Sequence, residues 1–110
     1  MLYALIRPGG APHDNLAIAQ GYAEAHRLHV VERIVDVLDH ADHAGADDPC
    51  LRRGYARALH LLADSASRAR GIVAVSRSSV TTASHPYEAQ LLWHADHKTG
   101  LFLVRSEVEI

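Results

Sequence analysis

The residues best equipped for chemistry lie where apolar runs give way to loops. Arg7 ends the run Leu2-Tyr3-Ala4-Leu5-Ile6 and meets Pro8-Gly9-Gly10. A guanidinium at the carboxyl end of a strand is placed to hold an anion, because open α/β sheets bind their ligands there. The competing reading pairs Arg7 with an acid such as Asp36. Arg77 and Ser79 stand in a hydroxyl-rich segment, Ser76 to Ser84, and complete the anion-binding candidates. No histidine–acid partner can be assigned to any of those hydroxyls, so a hydrolase triad is not indicated. Gly9-Gly10 has the composition of a phosphate-cradling loop but matches neither Gly-x-Gly-x-x-Gly nor a P-loop.

Other chemically capable residues read as ordinary surface. His40-x-x-His43 and His94-x-x-His97 carry the spacing of a shared helix face, and such pairs can ligate zinc. No Cys-x-x-Cys or longer histidine motif accompanies them, so no metal is expected. Cys50 falls in the first turn of a predicted helix, where a thiol pKa can drop, but Asp47 and Asp48 oppose the effect that Arg52 and Arg53 favour. It reads as an idle or structural cysteine. Arg52, Arg53 and Arg57, with Arg68 and Arg70, read as a solvated helix face in preference to a contact with DNA phosphates. No cofactor is implied.

The elements that must position these residues follow from the hydrophobic pattern. Residues 2–7, 30–36, 71–75 and 101–104 are short apolar runs rich in β-branched residues or bounded by glycine and proline, hence strands. Helical spacing marks residues 15–27, with Asp14 or Asn15 as cap. Asp48-Pro49 opens a second helix to about Ser67, and Pro86 lies just inside a third that ends at Thr99-Gly100. Residues 39–48 and 76–84 are loops by composition. The order β-α-β-α-β-α-β predicts a parallel sheet with right-handed crossovers, covered by helices on both faces.

Composition bounds the rest. The chain has 110 residues, 48% hydrophobic and 22% charged, with a formal charge of -2, and is expected to be one domain, residues 1–110. A stand-alone DNA binder usually has a basic excess, which is missing. One cysteine excludes an internal disulfide. The run Met1 to Ile6 is too short for a signal peptide, and no stretch approaches the roughly 20 apolar residues of a membrane span. A soluble, cytoplasmic protein without membrane contact is expected.

Ala4-Leu5-Ile6-Arg7, Gln20-Gly21-Tyr22-Ala23-Glu24-Ala25, Val30 to Asp36, Asp48-Pro49-Cys50-Leu51, Gly71 to Val75 and Thr99-Gly100-Leu101-Phe102-Leu103-Val104 follow one another in an order that resembles the serine recombinase (resolvase/invertase) catalytic domain. The resemblance covers nearly the whole chain. It implies a three-layer α/β fold with a four-stranded parallel sheet, order 2-1-3-4, and about three helices. It also implies a missing reaction. In that family a nucleophilic serine lies two residues after the strand's arginine, and Gly9 stands there. Asp48 stands where the family's Arg-Pro-x-Leu begins. Val80 and Ala83 fall where its Leu-Asp-Arg-Leu-Ser-Arg carries arginines. Losing one transition-state donor typically costs about 100- to 1000-fold, so no useful strand cutting is expected. The family's long dimer helix and DNA-binding domain would lie beyond the fourth strand, and neither is found before Ile110. The expected function is an inactive recombinase-like domain that self-associates or docks to another protein. The alternative is a small nucleic-acid-associated regulator that touches phosphates through Arg7, Arg77 and the helix arginines.

Overall fold

A computed structural model describes residues 1–6, 12–38 and 47–105, with the side chains of 12–14 outside that description. Four strands form one parallel sheet: β1 (Leu2–Ile6), β2 (Arg33–Val37), β3 (Gly71–Ala74) and β4 (Gly100–Leu103), in the order β2-β1-β3-β4. Leu2 pairs with Arg33 and Ile6 with Val37 across β1–β2, while Leu2 pairs with Val73 and Gly71 with Gly100 on the other side. β1 is central, and each of its five residues is buried. This is why its sequence is apolar without alternation.

The two faces are covered by different helices. α1 (Pro12–Ala25) lays Ala19 and Ala23 on Leu2 and Val73. On the opposite face α2 (Arg53–Ala63) sends Tyr55, Ala58, Leu59 and Leu62 into the larger core with Tyr3, Leu5, Ile34 and Ile72. A one-turn helix, α3 (Arg77–Val80), and α4 (Ser84–His97) complete that side, with Tyr87 and Trp93 packed on the core. The result is the expected three-layer sandwich, with four α-helices among the described residues where about three were expected.

The additional helix is α3, which winds up part of the hydroxyl-rich segment expected to be loop. The second helix also starts later than its Asp48-Pro49 signal suggests. Asp48 does act as a cap, accepting from the Cys50 amide at 3.0 Å, but the turn it caps is a single 3-10 turn, Pro49–Leu51. The chain then extends at Arg52 (φ -89°, ψ 134°), and α2 begins at Arg53 and stops at Ala63.

The turns that follow α1 and α4 each hold one residue left-handed, Arg27 (φ 56°) and Lys98 (φ 54°). The next amide closes onto the helix in both cases, Leu28 to the Ala23 carbonyl at 2.8 Å and Thr99 to the His94 carbonyl at 3.0 Å. Glycine usually occupies that position because a Cβ is disfavoured there.

Candidate functional site

The polar network of the structure gathers at the carboxyl end of the sheet. β2 carries Asp36 beside β1, and its carboxylate accepts from three donors: the Tyr3 hydroxyl at 2.9 Å, the Gly54 amide at 2.7 Å and the Tyr55 amide at 2.8 Å. The last two are orphan N–H groups in the first turn of α2, whose own N-terminal residue makes no side-chain cap. Asp36 therefore caps α2 from a neighbouring strand, where its negative charge also meets the positive end of the helix.

Arg52 lies in the same network. It is 4% exposed, and its Nη1 donates to the Tyr3 hydroxyl at 3.3 Å and to the Ser79 carbonyl at 3.0 Å. This corrects the reading of Arg52 as part of a solvated helix face. The break after the 3-10 turn rotates it inward, while Arg53 and Arg57 stay exposed. A charge this buried needs partners, and the carbonyl, the phenol and the carboxylate beyond it supply them. Tyr3 is pushed well above the usual phenol range, by burial first and by Asp36 to a smaller extent, against the lowering influence of Arg52. Tyr3 thus stays protonated and donates to Asp36. Tyr55 crosses it edge-on with ring centroids 5.1 Å apart, and its buried hydroxyl has no hydrogen-bond partner among the described residues.

The sequence-derived positions divide as follows. Arg7, Gly9, His40 and His43 lie outside the described residues. Arg77 opens α3 at the carboxyl end of β3 and stacks its guanidinium over Tyr87, 4.4 Å from the ring centroid. Ser79 is buried and meets Arg52 through its carbonyl. Val80 is a fully buried core residue, and Ala83 precedes the first turn of α4. Asp48 is half-buried at the 3-10 turn. Thr81 ties the segment down by donating to the Asp47 carbonyl at 2.6 Å. Arg52 is the site residue that sequence reasoning placed on the wrong side of its helix. No sequence signal marked the later start: Asp48-Pro49 is the stronger helix opening, and the structure spends it on the 3-10 turn.

His94 and His97 of α4 do not act together. His94 is buried, with Nδ1 2.8 Å from the Thr99 hydroxyl, and burial pulls it down to about 4, with His97 adding a smaller push. His97 instead stacks on Trp93 at 3.8 Å between centroids. Among the described residues no group of three or more His, Cys, Asp or Glu side chains is placed to hold a metal ion. Cys50 accepts from the Gln90 amide nitrogen at 3.1 Å, and its thiol is raised by burial despite that bond, the opposite of an activated nucleophile.

Two solved structures share this architecture across 96% of the chain. One is the C-terminal catalytic domain of the ISC1926 TnpA, an IS607-like serine recombinase, with a TM-score of 0.75 at 15% identity. The fold is that of a serine recombinase catalytic domain. The second is the first open reading frame of transposon ISC1904 from Sulfolobus solfataricus P2, with a TM-score of 0.63 at 16% identity. The chain spans 67% of the first recombinase structure and 66% of the second. No family model and no curated protein matches the sequence. At this identity the recombinase likeness is one of backbone arrangement, and β1 and β3 lie side by side as it requires. No helix among the described residues is long and apolar enough to cross a membrane.

Proposed function

We propose that this recombinase-fold domain does not cut DNA and acts through protein contacts. The observation that carries the reading is Gly9, a residue without a hydroxyl, two positions after the arginine that follows β1. Arg52 supports it from the other direction. Its Nη1 is engaged with Tyr3 and Ser79, so this guanidinium braces the carboxyl end of the sheet. A contact role is supported by the outer face of α4, where Leu91 and Leu92 are exposed while the polar Gln90 and His94 are buried. Incubation with supercoiled plasmid is expected to leave it intact, with no covalent protein–DNA adduct. Cleavage that persists through repurification would end the reading.

A second reading, phosphate contact at the carboxyl end of the sheet, is favoured by Arg77, which stands beside the buried Arg52–Ser79 bond with its guanidinium on an aromatic face. Such binding must fall steeply with added salt. Loss of DNA retention in Arg77→Glu at low ionic strength would favour it over the protein-contact reading.

A further inference from the structure

The opposite, amino-terminal end of the sheet carries two adjoining clefts. The first, of about 240 Å³, has an apolar floor that includes Leu28, Val31 and Phe102 and is rimmed by His29, Arg68 and Arg70. The second adjoins it through Arg70, whose Nη1 donates to the Ser67 and Ala69 carbonyls at 2.8 Å, and contains His97 and Lys98. Asp64 is the one carboxylate among the described residues lining either cleft, against the cations Arg68, Arg70 and Lys98. For a chain of net charge -2 this end is locally basic. Phe102 is 39% exposed, and its ring tip rests against Gly71 and Gly100, where any Cβ would come within 3 Å of it. The two glycines therefore let an aromatic ring settle on the edge of the sheet with part of its surface open. The two left-handed non-glycine residues among those described, Arg27 and Lys98, are cations at this same end, in positions where glycine is the less strained choice.

An aromatic platform in an apolar cleft flanked by cations is the combination that binds single-stranded nucleic acid. Bases stack on the ring without sequence preference while the phosphates are neutralised. We propose that the amino-terminal end of the sheet binds single-stranded DNA, with a base against Phe102 and the backbone along Arg68, Arg70 and Lys98. This surface lies across the sheet from Arg77, so it is separate from the carboxyl-end reading above.

The test uses the full chain and a fluorescein-labelled oligothymidylate, with binding followed by polarisation at low salt. Three phosphate contacts give a log–log salt slope near -2, from roughly -0.7 per contact on single strands. The double variant Arg68→Glu/Arg70→Glu is expected to weaken binding at least 10-fold, and Phe102→Leu, which keeps the apolar volume, several-fold. Arg77→Glu should leave it unchanged. Lys98→Gly is the sharpest variant, because it relieves the left-handed backbone and is expected to hold or raise the Tm while binding falls. Equal loss in Arg77→Glu, no binding at low salt, or competition by thymidine monophosphate as strong as by the oligonucleotide would each overturn the proposal.

Discussion

At the scale of single residues, the structure places its polar groups where each has a definite consequence. His94 is the clearest. Its Nδ1 meets Thr99, but the buried Nε2 has no partner among the described residues, so a proton there would be a desolvated charge. The folded-state value near 4 lies below the ordinary 6.5. The unfolded chain therefore binds a proton that the native one refuses, and stability falls as pH drops from about 6.5 toward 4. Each unit in that window costs at most about 1.4 kcal/mol from this group. Denaturant midpoints measured from pH 7.5 to 4 should show that slope, and His94→Gln should flatten it. Arg52 shows how little of such placement can be read from the sequence. Arg52-Arg53-x-x-x-Arg57 looks like a charged outer stripe, yet the first member is buried and the other two are exposed. Its direction depends on one extended residue between a 3-10 turn and a helix, a backbone choice that no side-chain pattern encodes. Asp36 was legible as the polar end of a strand, but its three donors come from β1 and α2 and required the tertiary fold.

Among the elements, α2 is the one whose geometry is set most tightly from outside. Gly54 sits in its first turn, where alanine ordinarily helps a helix by about 1 kcal/mol. Here a Cβ would come within 2.7 Å of the Asp36 Oδ1 and of the Ile34 side chain. Gly54→Ala should reverse the usual sign and destabilise by about 1–3 kcal/mol, measurable by chemical denaturation. The strands were the most legible elements because β1 and β3 are buried on both faces, so their composition alone marks them. Helix boundaries were less so. α1 begins at Pro12 and not near residue 15, and the long stretch assigned to the second helix divides into a 3-10 turn, α2 and the segment before β3. In α4 the apolar residues are not confined to one face, which concealed that Gln90 and His94 point inward.

For the whole molecule, the parallel sheet with right-handed crossovers followed from element alternation, and its order β2-β1-β3-β4 from the resemblance to recombinases alone. Function was less legible, since folds of this class host unrelated activities and the deciding residues sit at sheet ends. If the protein works through contacts, the exposed leucines of α4 are the surface to alter. Leu92, 66% exposed, costs little in the isolated fold when made polar. Leu92→Glu is expected to preserve the Tm and shift any concentration-dependent mass in light scattering toward one chain. An unchanged mass profile would assign association to another face.

The carboxylate that closes the start of α2 belongs to a strand and not to the helix. The beginning of that helix is therefore moored to the sheet, while its far end closes locally: the Asp64 amide donates to the His60 and Leu61 carbonyls, and Asp64 accepts from the Ser67 and Ala66 amides. An isolated peptide with this stretch would lack its anchor and is expected to be less helical than α2 in the folded protein.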